Sequence, residues 1–138
     1  TYPAHPLAKK KHIAPADLDR QPFVLFETGS ITRRTVEGFF SRERIAPEII
    51  METENVEIIK AMVRNGLGIS IIPWQAAAAD VGTRQLFCSP IAGVSLIRQT
   101  GWLYPKMNRL PRAVTEVMRV FERIRPQLEA LVRPSRNG

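Results

Sequence analysis

One stretch of the sequence decides the fold class: Val63-Arg64-Asn65-Gly66-Leu67-Gly68-Ile69-Ser70-Ile71-Ile72-Pro73. Gly66 lies where the end of a helix needs a left-handed residue. Gly68 opens a short apolar run, and Pro73 ends that run sharply. A helix before Gly66 is predicted because Asn55 can cap it and because apolar side chains follow at helical spacing, namely Val56, Ile59, Met62 and Val63. The stretch therefore predicts a helix, a tight turn and a strand over 69–72.

The same order of strand and helix occurs upstream. Phe23-Val24-Leu25-Phe26 is a continuous apolar run that is too short for a helix, which predicts a strand covered on both faces. A polar turn over 27–32 follows, and then a helix with an inner stripe of Val36, Phe39 and Phe40. Ile49-Ile50-Met51 predicts a second strand. Strands and helices that alternate with short connections predict an α/β fold with a parallel sheet and right-handed crossovers.

The downstream half continues this pattern and then departs from it. A short helix is predicted over 74–79 and a further strand over 85–88. From 93 onward, 94–97 and 101–104 look extended with no helix between them, and they predict edge strands. The chain then ends in a long amphipathic helix whose apolar stripe comprises Val114, Val117, Met118, Phe121, Ile124, Leu128 and Leu131.

Two prolines lie at the start of this last helix and within it. Pro111 suits its first turn, whereas Pro126 should kink or break it, and the residues from Arg133 to Gly138 should fray. Two strands and one helix are too little to build a core, so the apolar stripe needs a partner sheet. We expect that partner upstream of Thr1, in a longer protein, and the absence of an initiating Met favours the same interpretation.

The composition is that of a folded globular domain, with 44% hydrophobic and 24% charged residues. The formal net charge is +7, but the basic residues are dispersed, and the one dense stretch, 109–136, alternates with apolar residues as a solvent-facing helix does. We therefore expect no specific nucleic-acid surface within this chain. No apolar run approaches the roughly 20 residues that span a bilayer, and Thr1–Pro6 lacks the features of a signal peptide.

Catalytic and metal-binding constellations are weak. A single cysteine, Cys88, excludes an internal disulfide and fits a reducing compartment. Because it falls in a predicted apolar strand, we expect it to be a buried, inert thiol. The two histidines, His5 and His12, lie in an entry segment rich in proline and lysine, and with one cysteine they make a poor zinc set. We therefore predict no catalytic residue, no metal and no cofactor.

The best candidate for a ligand site is the loop from Thr28 to Thr32. Ligands of open parallel sheets bind beyond the carboxyl ends of the strands, and a helix N-terminus offers backbone N–H groups that attract anions. Gly29 lets a ligand approach the backbone, and Arg33 or Arg34 could add positive charge. Hydroxyl groups come from Thr28, Ser30 and Thr32.

Other polar residues near this loop could extend the site, and some have an alternative role. Thr53 and Asn55 follow the second strand and should open on the same sheet edge, where they would complete the pocket floor, although Asn55 could equally cap its own helix. Ser30 or Thr32 could likewise act only as a helix cap. Glu27 would oppose an anion unless it faces away.

Several of these stretches together resemble the effector-binding region of LysR-type transcriptional regulators. The resemblance rests on His5-Pro6-Leu7-Ala8 before a basic run, on Ala16-Asp17-Leu18 before an apolar strand, and above all on the stretch over 63–73. It extends from about Ala4 to Leu131. It departs from the family at Leu110, where a Ser or Thr usually caps the final helix. The resemblance implies the two-lobed α/β fold of type 2 periplasmic binding proteins, with a parallel-rich mixed sheet.

The resemblance also implies a function and a division of the chain. Residues 1–92 would form effector-binding lobe II, and residues 93–138 would cross a hinge and supply the C-terminal part of lobe I. Members of the family bind a small metabolite, often a carboxylate, between the lobes and thereby alter how a dimer or tetramer grips promoter DNA. The chain would then be a cytoplasmic, non-enzymatic sensor that forms homo-oligomers, has no membrane partner and reaches DNA only through an N-terminal domain outside it.

Two other functions use the same architecture. One is a lobe of an extracytoplasmic solute-binding protein from a transport system, which an upstream signal peptide would reveal. The other is an enzyme of the prephenate dehydratase or deaminase kind, which would need an acid, base or nucleophile in the cleft. Only Glu27 and Glu54 are candidates for that role.

Overall fold

The sheet consists of two parallel strands, β1 (Pro22–Phe26) and β2 (Glu48–Thr53). Phe23 is paired with Ile49 and Phe26 with Thr53, with one irregularity of register just after Phe23. The three central residues of β1 are fully buried, as expected for a strand covered on both faces. The predicted α/β class with a parallel sheet is therefore confirmed.

The structure, a computed structural model, describes residues 1–97, 101–106 and 110–132, with only the backbone for 129–132. It separates into two compact units, Thr1–Arg98 and Gln99–Gly138, which are described one at a time. The first unit begins with two 3₁₀ turns, Pro6–Lys9 and Pro15–Leu18. Its helices are α1 (Ile31–Glu43), α2 (Val56–Arg64) and α3 (Trp74–Gly82), and the second unit holds α4 (Arg112–Val132).

The side chains of β1 divide the core into two clusters. Because neighbouring residues of a strand point to opposite faces, Phe23 and Leu25 pack on one side and Val24 on the other. The first side also holds the inner stripe of α1 and the apolar residues of the 3₁₀ turns, including Val36, Phe39, Phe40, Leu7 and Leu18. The second side holds α2 and the segment after α3, through Ile59, Val63 and Leu86. A single buried strand thus anchors both layers of helix.

The predicted strand over 69–72 contributes one parallel bridge, between Ile69 and Phe23. The N–H of Val24 donates to the Ile69 carbonyl at 2.9 Å. If the ladder continued, its next hydrogen bond would run from the N–H of Ile71 to the Val24 carbonyl. The Ser70 hydroxyl donates to that carbonyl instead, at 2.7 Å. Within the described ranges the third strand is therefore reduced to a bridge.

The strand predicted over 85–88 is wrong, because this segment is tied to the end of α3. The N–H groups of Gln85 and Leu86 both donate to the Asp80 carbonyl, at 2.8 and 3.2 Å, and Arg84 before them has a φ of 60°. Leu86 still reaches the core, but Cys88 is exposed rather than buried. The thiol lies in an irregular segment that no sheet covers.

A buried ion network joins α2 to α3. Asp80 accepts hydrogen bonds from Lys60 at 2.8 Å and from Arg64 at 2.6 Å, and Lys60 also lies 2.9 Å from Glu57. Asp80 and Lys60 are both buried. The hydrogen bond from Lys60 lowers the pKa of Asp80, and the bonds to Asp80 and Glu57 raise the pKa of Lys60. The network fixes the angle between the two helices.

We expect Asp80→Asn to lower the free energy of unfolding by on the order of 3 kcal/mol, because it removes the buried carboxylate that Lys60 and Arg64 share and leaves Lys60 with Glu57 alone. The pKa of Asp80 is lowered in the folded state, so its stabilisation is present above the ordinary aspartate pKa and is lost as the pH falls through the folded value. Urea unfolding at neutral and acid pH measures both effects.

Glu43→Gln is the matched control for that variant. It removes one carboxylate from the exposed Arg42–Glu43 pair, so a loss below about 0.5 kcal/mol is expected. Equal losses in the two variants would contradict a special role for the buried network.

In the second unit, α4 continues through Pro126, which corrects the expected break. Proline removes one backbone hydrogen bond, and the strong helix formers on both sides of it carry the helix past this loss. Pro111 lies just before the helix instead of in its first turn, and its carbonyl accepts from Thr115 N–H at 3.1 Å. Trp102 packs edge-on against Phe121, with ring centroids 5.3 Å apart. Several apolar side chains of α4 stay exposed, including Val117, Val120 and Leu128.

The edge strands predicted over 94–97 and 101–104 are wrong, because both segments are irregular in the described structure. Two further expectations fall at the limits of what is described. The side chain of Leu131 and the residues from Arg133 to Gly138 lie outside the described residues. None of the described helices has both the length and the apolar character needed to cross a membrane.

A second test of the fold concerns the end of α1. Arg44 caps this helix in the left-handed conformation, with φ of 57°. Glycine adopts that conformation without a steric penalty, so Arg44→Gly should raise the free energy of unfolding by about 0.5–1 kcal/mol. Arg42→Gly, two residues earlier and inside the helix, should lower it by about 1 kcal/mol. Urea unfolding of both variants distinguishes the two positions, and a loss in both would contradict the assigned cap.

Candidate functional site

The carboxyl ends of β1 and β2 lie side by side and carry two polar loops. The N–H of Glu27, just after β1, donates to the carbonyl of Thr53 at the end of β2 at 3.3 Å. This contact brings the loop over 28–32 next to the junction over 53–55. The structure therefore brings together the six residues predicted for the site, namely Thr28, Gly29, Ser30, Thr32, Thr53 and Asn55.

Three of these side chains have local roles in starting the helices. The Ser30 hydroxyl accepts from Arg33 N–H at 3.0 Å and caps α1. The Asn55 side chain accepts from Glu57 N–H at 2.9 Å and caps α2, while the Thr53 hydroxyl accepts from Asn55 N–H at 3.2 Å. Ser30 and Asn55 therefore both cap their helices, and their predicted ligand role stays a prediction.

Thr28, Gly29 and Ile31 are the exposed residues of the loop. Gly29 has a φ of 99°, which side chains rarely tolerate, and a Cβ at this position would meet open space. The loop therefore needs glycine for its backbone shape and not for room. Because the shape turns the chain directly into α1, the unpaired N–H groups of the first helical turn lie beside this exposed segment.

Arg33 does not supply positive charge to a ligand, which corrects one sequence expectation. Its side chain is only 5% exposed and points back under the loop. The guanidinium donates to Glu37 at 2.8 Å, to the Phe26 carbonyl at 2.9 Å and to Glu52 at 2.8 Å. It therefore ties α1 to the ends of both strands. Arg34, the next residue, is exposed.

Glu52 is the site residue that sequence reasoning missed. One carboxylate oxygen accepts from Arg33, and the other accepts from the Thr28 hydroxyl at 3.3 Å. The hydrogen bond from Arg33 is the main cause that lowers the pKa of Glu52. Its position opposite Leu25, one residue before the end of β2, was the signal in the sequence, because parallel strands that end together bring their last side chains together.

The charge around the loop is predominantly acidic. Glu27, Glu52, Glu54 and Glu57 are all exposed on this edge. Since Arg33 is already engaged by two carboxylates, an anion at this site would depend on backbone N–H groups and on the positive end of α1. No group of His, Cys, Asp and Glu in the described part of the chain is arranged to hold a metal ion.

A separate, mostly apolar cavity of about 150 Å³ lies within the first unit. Its walls come from Phe23 of β1, from α2 and from the segments over 69–72 and 86–91, and they include Ile59, Ile69 and Leu86. Cys88 also lines it, but none of the six predicted site residues does. His5 is occupied as a cap, since its Nδ1 accepts from Leu7 N–H at 3.1 Å, and burial lowers its pKa.

The family model for the LysR substrate binding domain matches residues 1–124. The chain belongs to this LysR family. Similar proteins include the transcriptional activator CmpR of Synechocystis, 36% identical over 77% of this chain, and the regulator CbbR of Xanthobacter flavus, 36% identical over 86%. A RuBisCO operon transcriptional regulator of Allochromatium vinosum is 34% identical over 80%. The chain spans 35–37% of the length of these relatives.

Two solved LysR-type domains resemble the structure. The regulatory domain of CcmR from Synechocystis, in complex with 2-PG, is 33% identical, with a TM-score of 0.50, over 52% of this chain and 35% of that one. The effector-binding domain of QuiR, in complex with shikimate, is 23% identical, with a TM-score of 0.61, over 69% of this chain and 44% of that one. The second similarity concerns the fold alone. Both agree with the predicted type 2 periplasmic-binding-protein fold.

The cap role of Ser30 gives a direct test of this part of the LysR domain. Ser30→Ala should lower the free energy of unfolding by about 1 kcal/mol, because the N–H of Arg33 loses its acceptor. Ser30→Gly should lower the free energy of unfolding by only about a few tenths of a kcal/mol, since glycine is tolerated at this cap position. Urea unfolding measures both, and a loss for glycine as large as for alanine would contradict the cap.

Proposed function

We propose that this chain is the effector-binding, co-inducer-sensing region of a LysR-type transcriptional regulator. The observation that carries the proposal is the loop over 28–32, which opens at the carboxyl edge of the sheet onto the N-terminus of α1. Membership of the LysR family and the regulator names of the relatives support it. They give no support to a solute-binding protein of a transport system.

The division of the chain follows from the same proposal. Residues 1–92 form effector-binding lobe II, and residues 93–138 cross the hinge and supply the C-terminal part of lobe I. The effector lies in the cleft between the lobes, where Thr28, Gly29 and Thr32 line one wall and Thr53 and Asn55 shape the floor. An effector that contacts one arrangement of the lobes better than the other shifts the equilibrium between them, and this shift modulates DNA binding and transcription.

The remaining parts of the proposal concern the setting of the protein. It acts in the cytoplasm, catalyses no reaction and contacts promoter DNA through a domain outside this chain. It assembles into a homo-oligomer, a dimer or a tetramer. Exposed apolar side chains on β2, Ile49, Ile50 and Met51, support the assembly, because β2 pairs only with β1 in the described residues and keeps its outer edge free.

The effector we propose is a small phosphorylated carboxylate. The CcmR domain was solved with 2-PG, and three of the relatives compared above regulate transcription, one of them at a RuBisCO operon. Backbone N–H groups at the start of α1 suit a phosphate or carboxylate group, and they have to hold it here because Arg33 is engaged elsewhere. Arg34 lies exposed beside them and adds a positive charge.

Gly29→Ala tests this mode of binding. A side chain at a φ of 99° forces the loop out of its shape, so the affinity of the full-length protein for 2-PG should fall about tenfold. Isothermal titration calorimetry measures this affinity, and promoter binding with and without 2-PG measures the response of the regulator.

Gly38→Ala is the matched control. Gly38 lies within α1, and an added Cβ there also meets open space, so this variant should gain about 1 kcal/mol of stability and keep its affinity for 2-PG. An unchanged affinity in Gly29→Ala would overturn the loop as the anion site. Absence of 2-PG binding to the unmodified protein would overturn the proposed effector class.

A further inference from the structure

The hydrogen bond between Thr28 and Glu52 determines what the loop presents to a ligand. Thr28 Oγ lies 3.3 Å from Oε2 of Glu52, and the other oxygen of that carboxylate lies 2.8 Å from the guanidinium of Arg33. Arg33 in turn is anchored by the Phe26 carbonyl and by Glu37. The carboxylate of Glu52 is therefore held between a buried cation and an exposed hydroxyl.

This arrangement fixes the direction of the hydrogen bond. The guanidinium favours the ionised form of Glu52 and lowers its pKa, so the group is a carboxylate at neutral pH. A carboxylate has no proton and can only accept. The proton between the two groups must then come from the Thr28 hydroxyl, which has only one.

While its proton points to Glu52, the Thr28 oxygen presents its lone pairs to a ligand. In this orientation it accepts a hydrogen bond from a hydroxyl group, whereas donating to a carboxylate or phosphate requires the 3.3 Å hydrogen bond to Glu52 to break. Resting on the proposed function above, we propose that Glu52 orients Thr28 so that, among anionic effectors, the loop binds those that carry a hydroxyl group more tightly than those that do not. The anion is held by the backbone at the start of α1, and the effector hydroxyl donates to Thr28.

In this scheme Glu52 is a positioning residue that acts through Thr28. Its own charge is only partly offset by Arg33, because Arg33 also pairs with Glu37. A ligand without the hydroxyl leaves the lone pairs of Thr28 facing an apolar or anionic group where the bound ligand covers them. Such an unsatisfied acceptor disfavours the wrong ligand, which is how a polar site discriminates between close analogues.

The test compares two ligands that differ only in that hydroxyl. 3-Phosphoglycerate carries it on the carbon next to the carboxylate, and 3-phosphooxypropanoate lacks it. Calorimetric titrations of the full-length protein at about pH 8, where phosphate monoesters have lost their second proton, prevent the phosphate from acting as the donor. We expect 3-phosphoglycerate to bind about 3- to 10-fold more tightly, the range of one hydrogen bond.

Three variants locate the cause of the preference. Thr28→Val keeps the shape of the side chain without its hydroxyl and should reduce the preference to about onefold. Glu52→Gln places an amide that can donate to Thr28, which frees the hydroxyl proton, and it should shrink the preference mainly by strengthening the binding of 3-phosphooxypropanoate. Glu54→Gln removes one charge from the same edge at a residue with no contact to Thr28 in the described structure, and it should keep the preference unchanged.

The outcomes separate this inference from the proposed function. If both ligands bind the unmodified protein equally, or if the preference survives in Thr28→Val, the selection by Thr28 is overturned while the effector class stands. If Glu54→Gln lowers the preference as much as Glu52→Gln does, charge and not orientation is responsible, and the role of Glu52 is overturned. If neither ligand binds, the proposed effector class fails and the hydroxyl preference fails with it. Thr28→Val remains informative even if Glu52→Gln does not fold.

Discussion

The buried guanidinium of Arg33 connects three of the elements that form the candidate site, β1, β2 and α1. It donates to the end of β1 through the Phe26 carbonyl, to β2 through Glu52, and to its own helix through Glu37. A charge with so little exposure is tolerated only where hydrogen bonds and opposite charges replace the water it has lost. The loop over 28–32 is thus held from below, and its exposed part is left to meet a ligand.

The buried strand β1 is the second constraint. Its alternating side chains supply both clusters of the core, so α1 and α2 must lie on opposite faces of the sheet. Both helices then start at the carboxyl edge, because each follows a strand that ends there. The polar loops meet at this edge for topological reasons, and the ion network of Asp80 keeps α2 in its orientation from the far side.

The site differs from a simple anion pocket in where its charges lie. Most ionised groups on the edge are carboxylates, and the nearest buried cation is already neutralised by two of them. Backbone groups that bind an anion do not require any side chain to become ordered, so no entropy is lost on that account. Side chains such as Thr28 can then discriminate between ligands. In the proposed function, such a division lets specificity change while the fold and the proposed anion site stay the same.

The sequence by itself determined the elements whose signals are local. The apolar run of β1, the caps Ser30 and Asn55, the turn at Gly66 and the motif over 63–73 each depend on neighbouring residues, and they sufficed for the α/β class and the LysR family. Only the tertiary structure decided that Arg33 points inward and that Glu52 meets Thr28. These contacts join residues 19 and 24 positions apart. The Ser70 hydroxyl also replaces a ladder bond, and the Asp80 carbonyl holds 85–88 away from the sheet. Their partners are set by how the strands pack, which no local pattern of residues encodes.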